Sequence, residues 1–132
     1  MNDVPVETCW AQPLLVTPRR AIGFPCLREA PVLSTPRLIE CLGNTACDAS
    51  QPYLAEGYAS VGTEIHVRRL APAPVGNAVR FTARATAVEG PRVRFQIQAR
   101  EERKVVAEGT LERLVIQVAR FATRLAAKRT QS

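Results

Sequence analysis

The sequence predicts an α+β protein in which a curved antiparallel β-sheet wraps around one central α-helix. Three observations carry this expectation. An apolar helix with a start signal begins at Thr35, the hydrophobic period changes to two from residue 58 onward, and Glu89-Gly90-Pro91-Arg92 supplies a tight turn between two long alternating segments.

Residues 1–11 show no clear period and are expected to be loosely ordered. Gln12 to Thr17 (QPLLVT) reads as a first strand ended by Pro18. Residues 18–33 contain Gly23, Pro25 and Pro31 and read as a loop crossing the surface. Thr35-Pro36 then reads as a helix start. The threonine oxygen caps free backbone N–H groups, and proline is tolerated at the first helical position because its missing N–H has no partner there. Leu38, Ile39, Leu42, Ala46 and Ala49 form one apolar stripe, and Pro52 closes the helix. Gly43 lies inside it, at a cost of about 1 kcal/mol relative to alanine. Such a glycine usually admits a close neighbour, here a strand backbone or a ligand.

In the following segment Val61, Thr63, Ile65 and Val67 are expected on one face, with Arg69 ending that inward row. Glu64, His66 and Arg68 take the other face. Val79, Phe81, Ala83, Ala85 and Ala87 alternate with Arg80, Thr82, Arg84 and Thr86. After the turn, Val93, Phe95, Ile97 and Ala99 alternate with Arg94, Gln96, Gln98 and Arg100. A last strand runs from about Val105 to Val118. Residues 119–129 form a short amphipathic helix with Arg120, Arg124 and Lys128 on one stripe, followed by a tail to 132. All 132 residues read as one domain. One such sheet leaves an open edge and an incompletely covered site, so a homodimer is expected.

Composition narrows the function. With 46% hydrophobic residues the chain can bury a core, and its mean hydropathy lies near zero. No apolar run approaches the roughly 20 residues of a membrane span. MNDVPVETCW is acidic and lacks the basic and apolar regions of a secretion signal, so a cytoplasmic location and no membrane partner are expected. Cys9, Cys26, Cys41 and Cys47 show no zinc-knuckle spacing, and His66 is the one histidine in the chain. Thiols without disulfides, and no metal, are therefore expected. The net charge of +6 raises nucleic acid as a partner, but the arginines are dispersed and no aromatic stacking platform is visible. A cationic rim that attracts the phosphates of coenzyme A fits better.

The order and spacing of several short landmarks give a further lead. They are Val16-Thr17-Pro18, Ser34-Thr35-Pro36, Ser60-Val61-Gly62-Thr63, Leu70-Ala71-Pro72-Ala73-Pro74-Val75-Gly76 and Gly109-Thr110-Leu111-Glu112-Arg113. Over residues 14 to 122 the chain resembles the small thioesterases of the fluoroacetyl-CoA thioesterase family. The resemblance implies a hotdog-fold dimer, hydrolysis of an acyl-CoA thioester and a site at the dimer interface. It implies no cofactor beyond the coenzyme A carried by the substrate. Thr35 matches the family's active-site threonine, a nucleophile or water-orienting hydroxyl; its plainer role is a helix cap. Gly62 matches a glycine whose N–H faces a developing oxyanion, or it marks a strand bulge. Arg113 matches an arginine near the site, against the plainer expectation of a surface ion pair with Glu112 or with a neighbouring strand.

Two positions depart from the family. Gly43 stands where its glutamate falls, and Arg69 where its histidine falls. His66 does not substitute, because an offset of three along a strand turns it to the other face. Arg69 in an inward row needs a partner, either Glu40, Glu112 or a ligand anion, unless the strand end already lies in solvent. Glu40, about 60° around the helix from Gly43, is the candidate general base, with Asp48 a weaker one. Asn44 and Thr45 are placed to position a water. Cys41 is a candidate nucleophile or a buried inert thiol. The resulting catalytic candidates are Thr35, Glu40 and Gly62, with Gly43, Asn44, Arg69 and Arg113 binding substrate. Two functions remain: an acyl-CoA thioesterase-like protein with an altered acid–base set, or a non-catalytic module that binds acyl-CoA or another small anion.

Overall fold

The computed structural model describes residues 4–5, 9–15, 32–74, 76–102 and 104–131. Five strands, β1 (Cys9–Leu15), β2 (Tyr58–Arg69), β3 (Ala78–Glu89), β4 (Arg92–Glu101) and β5 (Lys104–Gln117), form one antiparallel sheet in the order β1-β3-β4-β5-β2. Helix α1 (Thr35–Ser50) packs on one face, and α2 (Val118–Gln131) follows β5 directly. Leu38, Leu42 and Ala46 of α1 are fully buried with Val79, Phe81, Val93, Phe95 and Ile97 of the sheet. The sheet wraps the helix as expected. Ile39 is only half-buried, and Thr45 and Ser50 join the buried stripe instead. Their hydroxyls donate back to the carbonyls of Cys41 (2.7 Å) and Ala46 (3.2 Å), which leaves neither polar group unsatisfied.

Several boundaries differ from the sequence expectation. The first strand begins at Cys9, so residues 9–11 are ordered as strand and it pairs with β3 from Cys9 opposite Arg84. The landmark Val16-Thr17-Pro18 and the loop over 18–31 lie outside the described residues. The cap of α1 is Ser34 and not Thr35. The Ser34 Oγ accepts the Arg37 N–H at 3.3 Å, and its carbonyl accepts the Leu38 N–H at 2.9 Å. Both residues are good caps; Ser34 keeps extended backbone angles (φ −69°, ψ 150°), which place its oxygen over the first turn. Thr35 becomes the first helical residue and its hydroxyl is released from capping. The predicted turn forms at Gly90, whose φ of 57° favours glycine.

The face assignment along β2 also changes. Gly62 sits opposite Arg113 and Glu64 opposite Glu112, so Thr63 is an extra, bulged residue. One inserted residue flips the alternation. Beyond the bulge Ile65 lies opposite Leu111, which lies opposite the buried Phe95, so Ile65 points to the helix side. Before it, Gly62 shares a row with Arg113 and Val93, and Ser60 with Val115. The inward row is therefore Tyr58, Ser60, Gly62, then Ile65, Val67, Arg69; Val61 and Thr63 leave it. Gly109 permits the close β2–β5 pairing, because a Cβ there would run into the His66 carbonyl.

Candidate active site

β2 is an edge strand, and α1 does not fully cover it. Ile65 faces inward yet is 37% exposed, and Gly62 is exposed as well. The inner side of this edge is thus left partly uncovered, a strip that forms the candidate crevice, with an arginine near each end.

At one end Arg69, half-buried, donates from Nη1 to Thr35 Oγ1 at 3.2 Å and from Nε to the Ala71 carbonyl at 3.3 Å. The Leu70 and Ala71 N–H groups both reach the Val106 carbonyl (2.8 and 3.2 Å), which holds the strand end in place beneath the guanidinium. Nη2 of Arg69 is buried without a hydrogen-bond partner. Burial pulls this guanidinium below its ordinary pKa, because desolvation disfavours the cation. No acidic residue stands in the first turn of α1, so nothing there offsets the positive helix terminus.

At the other end Arg113 donates from Nε to Ser60 Oγ and from Nη2 to the Ser60 carbonyl, both at 2.7 Å. Its Nη1 reaches the Gly43 carbonyl at 3.5 Å and lies 3.7 Å from where a Cβ on Gly62 would stand. A Cβ on Gly43 would meet nothing within 4 Å, so the space over this glycine is open. Arg113 therefore joins β5, β2 and α1, and the surface ion pair expected with Glu112 does not form. Adjacent strand residues point to opposite faces. Glu112 turns outward, where it accepts from Thr63 Oγ1 at 3.1 Å and approaches Arg94 at 4.0 Å.

The expected carboxylate partners of Arg69 are accounted for elsewhere. Glu40 is exposed and pairs with Arg37 at 3.2 Å on the solvent side of α1. Glu112 is on the other face of the sheet. Asn44 and Asp48 are exposed, Thr45 is buried against its own helix, and Cys41 is half-buried. His66 lies on the outer face, 2.6 Å from Glu64. Ser60 and the Ala71 carbonyl, the partners of the two arginines, are not visible in the sequence pattern; Ser60 is turned inward by the bulge, and Ala71 offers a backbone carbonyl that no side-chain pattern marks.

Residues 16–119 match the family model of the fluoroacetyl-CoA-specific thioesterases, FlK. The chain belongs to this family. The fluoroacetyl-CoA thioesterase of Streptantibioticus cattleyicolor is 36% identical over 80 residues, which covers 61% of this chain and 58% of that protein. The chain thus matches under two thirds of that relative's length. A point mutant of the FlK thioesterase, solved with fluoroacetate and CoA, superposes with a TM-score of 0.79 at 30% identity, covering 89% of this chain and 98% of the other. A hot-dog-like protein from Thermanaerovibrio acidaminovorans gives 0.86 at 30% identity, covering 94% and 92%. The fold is the hotdog fold. In this chain Arg69 touches Thr35 directly.

Proposed function

We propose that this FlK-family protein is an acyl-CoA thioesterase-like enzyme that processes a small acyl thioester with an altered acid–base set. The observation that carries the reading is the Arg69–Thr35 contact. Because Arg69 donates to Thr35 Oγ1, the threonine's own proton is left to donate onward. Such a donor, set at a helix N-terminus, suits a thioester carbonyl whose oxygen gains negative charge.

The other landmark, Gly62, is seven residues from Arg69 along β2, roughly 20 Å in an extended strand. Within one subunit the two do not converge on one carbonyl. Two copies of β2 paired edge to edge in antiparallel fashion, centred on His66 once the bulged Thr63 is skipped, would set Gly62 of the partner subunit opposite Arg69 and so beside Thr35. A homodimer follows on this reading, each crevice being completed by the other copy. A guanidinium accepts no proton at any working pH, so Arg69 cannot serve as base. Glu40 is the proposed base, although it lies on the solvent side of α1 and acts only if it leaves Arg37 and turns toward Thr35; its exposed ion pair is the kind worth under about 1 kcal/mol, a weak hold against such a move. A substrate that carries coenzyme A supports a cytoplasmic location.

A second reading is favoured by Gly43 and Arg69 themselves. Among the described residues no imidazole or carboxylate bonds to Thr35, and such a crevice is suited to bind an acyl-CoA without cleaving it. Thiol release from a panel of acyl-CoA substrates separates the two. Turnover that disappears in Thr35→Ala and Glu40→Gln supports the enzyme, and saturable binding without release supports the module. Absence of both binding and release would overturn the two together.

A further inference from the structure

We infer, on the reading that this protein takes acyl-CoA, that the groove between α2 and the end of the sheet holds the phosphorylated nucleotide end of coenzyme A. Arg120 and Arg124 meet its phosphates.

The groove is a fixed feature of the fold. α2 starts where the Val118 N–H donates to the Gly57 carbonyl at 2.9 Å, at a turn in which Gly57 has a φ of 84°. The Pro91 carbonyl accepts the Val115 N–H at 2.7 Å, which holds the β3–β4 turn against β5. Between them lies a cavity of about 320 Å³ whose lining includes Tyr58, Leu114, Ile116, Arg120, Phe121 and Arg124. That is room for a small ligand. Its walls offer two chemistries together: aromatic and aliphatic surface for a base, and guanidinium groups for phosphate.

The charge of the groove is unbalanced. Arg120 and Arg124 stand four residues apart on α2, so they share one helix face and repel each other. Among the described residues neither makes an ion pair or a side-chain hydrogen bond. Arg37 and Arg94 by contrast face carboxylates, and Arg69 and Arg113 are bonded to protein oxygens. No residue lining the groove is acidic, and Val118–Gln131 contains no Asp or Glu at all. A phosphate set between the two guanidiniums relieves their repulsion with charge-assisted bonds. Because both border a concavity, a compact anion suits them better than the flat surface of a membrane or a nucleic acid.

Tyr58 joins this groove to the candidate crevice. It lines the groove, and it also begins the inward row Tyr58, Ser60, Gly62 of β2. In the edge-to-edge pair proposed above, Gly62 of the partner subunit stands beside Thr35. The groove of that same partner opens four strand residues further on, roughly 13 Å. An extended pantetheine arm is longer than this. A thioester at Thr35 of one subunit therefore has its nucleotide in the groove of the other. Arg120, Phe121 and Arg124 all lie beyond residue 119, where the match to the FlK family ends.

Isothermal titration of the full chain with CoA, and with adenosine 3′,5′-bisphosphate as its isolated nucleotide end, tests this. Both are expected to bind and to compete. Arg120→Gln and Arg124→Gln should each weaken both ligands about tenfold, the worth of one bond to a charged group. Lys128→Gln removes the same charge from a position outside the groove and should change them by less than about twofold. CoA affinity that survives both arginine changes overturns the inference and leaves the functional reading standing. An equal loss in Lys128→Gln reveals diffuse attraction to a basic helix and overturns it as well. Bisphosphate that binds through the two arginines without displacing CoA assigns the groove to a free nucleotide, which also overturns it. If no CoA compound binds, the functional reading fails and the inference with it. Should an arginine variant not fold by thermal melting, the backbone amide resonances of the unmodified protein decide. Shifts over Val118–Lys128 on adding the bisphosphate support the inference, and shifts confined to other residues overturn it.

Discussion

Arg113 grips Ser60 twice, through Oγ and through the carbonyl, both at 2.7 Å. This ties β5 to the edge strand just before its bulge, and the third nitrogen reaches Gly43 on α1. Removing it leaves the buried Ser60 without its partner. Arg113→Ala is expected to lower unfolding free energy by about 2 kcal/mol, and Ser60→Ala by about 1. Urea denaturation followed by circular dichroism measures both. A cost for Arg113→Ala within about 0.5 kcal/mol, the range of ordinary surface changes, would show that Arg113 is not a strut.

Ser34 and Thr35 divide two duties that sequence alone assigns to one residue. Ser34 caps the helix, and Thr35 faces Arg69. Ser34→Ala should therefore cost about 1 kcal/mol of stability. Thr35→Ala should change stability by less than about 0.5 kcal/mol and abolish any acyl-CoA turnover. Thermal melts of the two variants, set beside thiol-release rates, read the split. A Thr35→Ala variant that loses stability like a missing cap would return Thr35 to the capping role.

The fold was legible because its two periods are clean. The apolar stripe of α1 and the alternation of β3 and β4 each match a single buried face. Position within the site was less legible, for two physical reasons. Serine and threonine are both good caps, so the residue left over for chemistry cannot be told from composition. A bulge shifts register by one residue without any marker of its own in Gly62-Thr63-Glu64, and it reassigned every inward residue of β2 before it. Arg113 was misplaced for that reason, since its partner Ser60 turns inward only once the bulge is known. Arg69 was read as inward because it lies beyond the bulge, where the expected phase holds.

The edge of β2 gives a test of the homodimer. Ile65 points inward, is partly exposed and lies near the centre of the proposed strand pairing. A lysine there lies diagonally across the strand pair from its own copy, within reach of a long side chain, and such like charges repel. Ile65→Lys is expected to convert a dimer to a monomer in light scattering and to remove saturable acyl-CoA binding with it. Dimers that persist in this variant with binding intact would place the subunit contact elsewhere.

Installing an acid and a base at Gly43 and Arg69 is the sharpest test of the proposed altered acid–base set. Gly43 has room for a side chain, and any helix-forming residue there removes the glycine penalty. Gly43→Ala alone should add about 1 kcal/mol of stability. Gly43→Glu with Arg69→His places a carboxylate and an imidazole at this edge, both able to accept a proton near neutral pH. Positioned acid–base groups are worth about 10² to 10⁴ in rate. Hydrolysis of acetyl-CoA by the double variant should therefore rise by at least about a hundredfold over the unmodified chain. Thiol release under saturating substrate measures it. A double variant that folds and binds acetyl-CoA but hydrolyses it no faster would mean that Gly43 and Arg69 do not set the acid–base chemistry of this crevice.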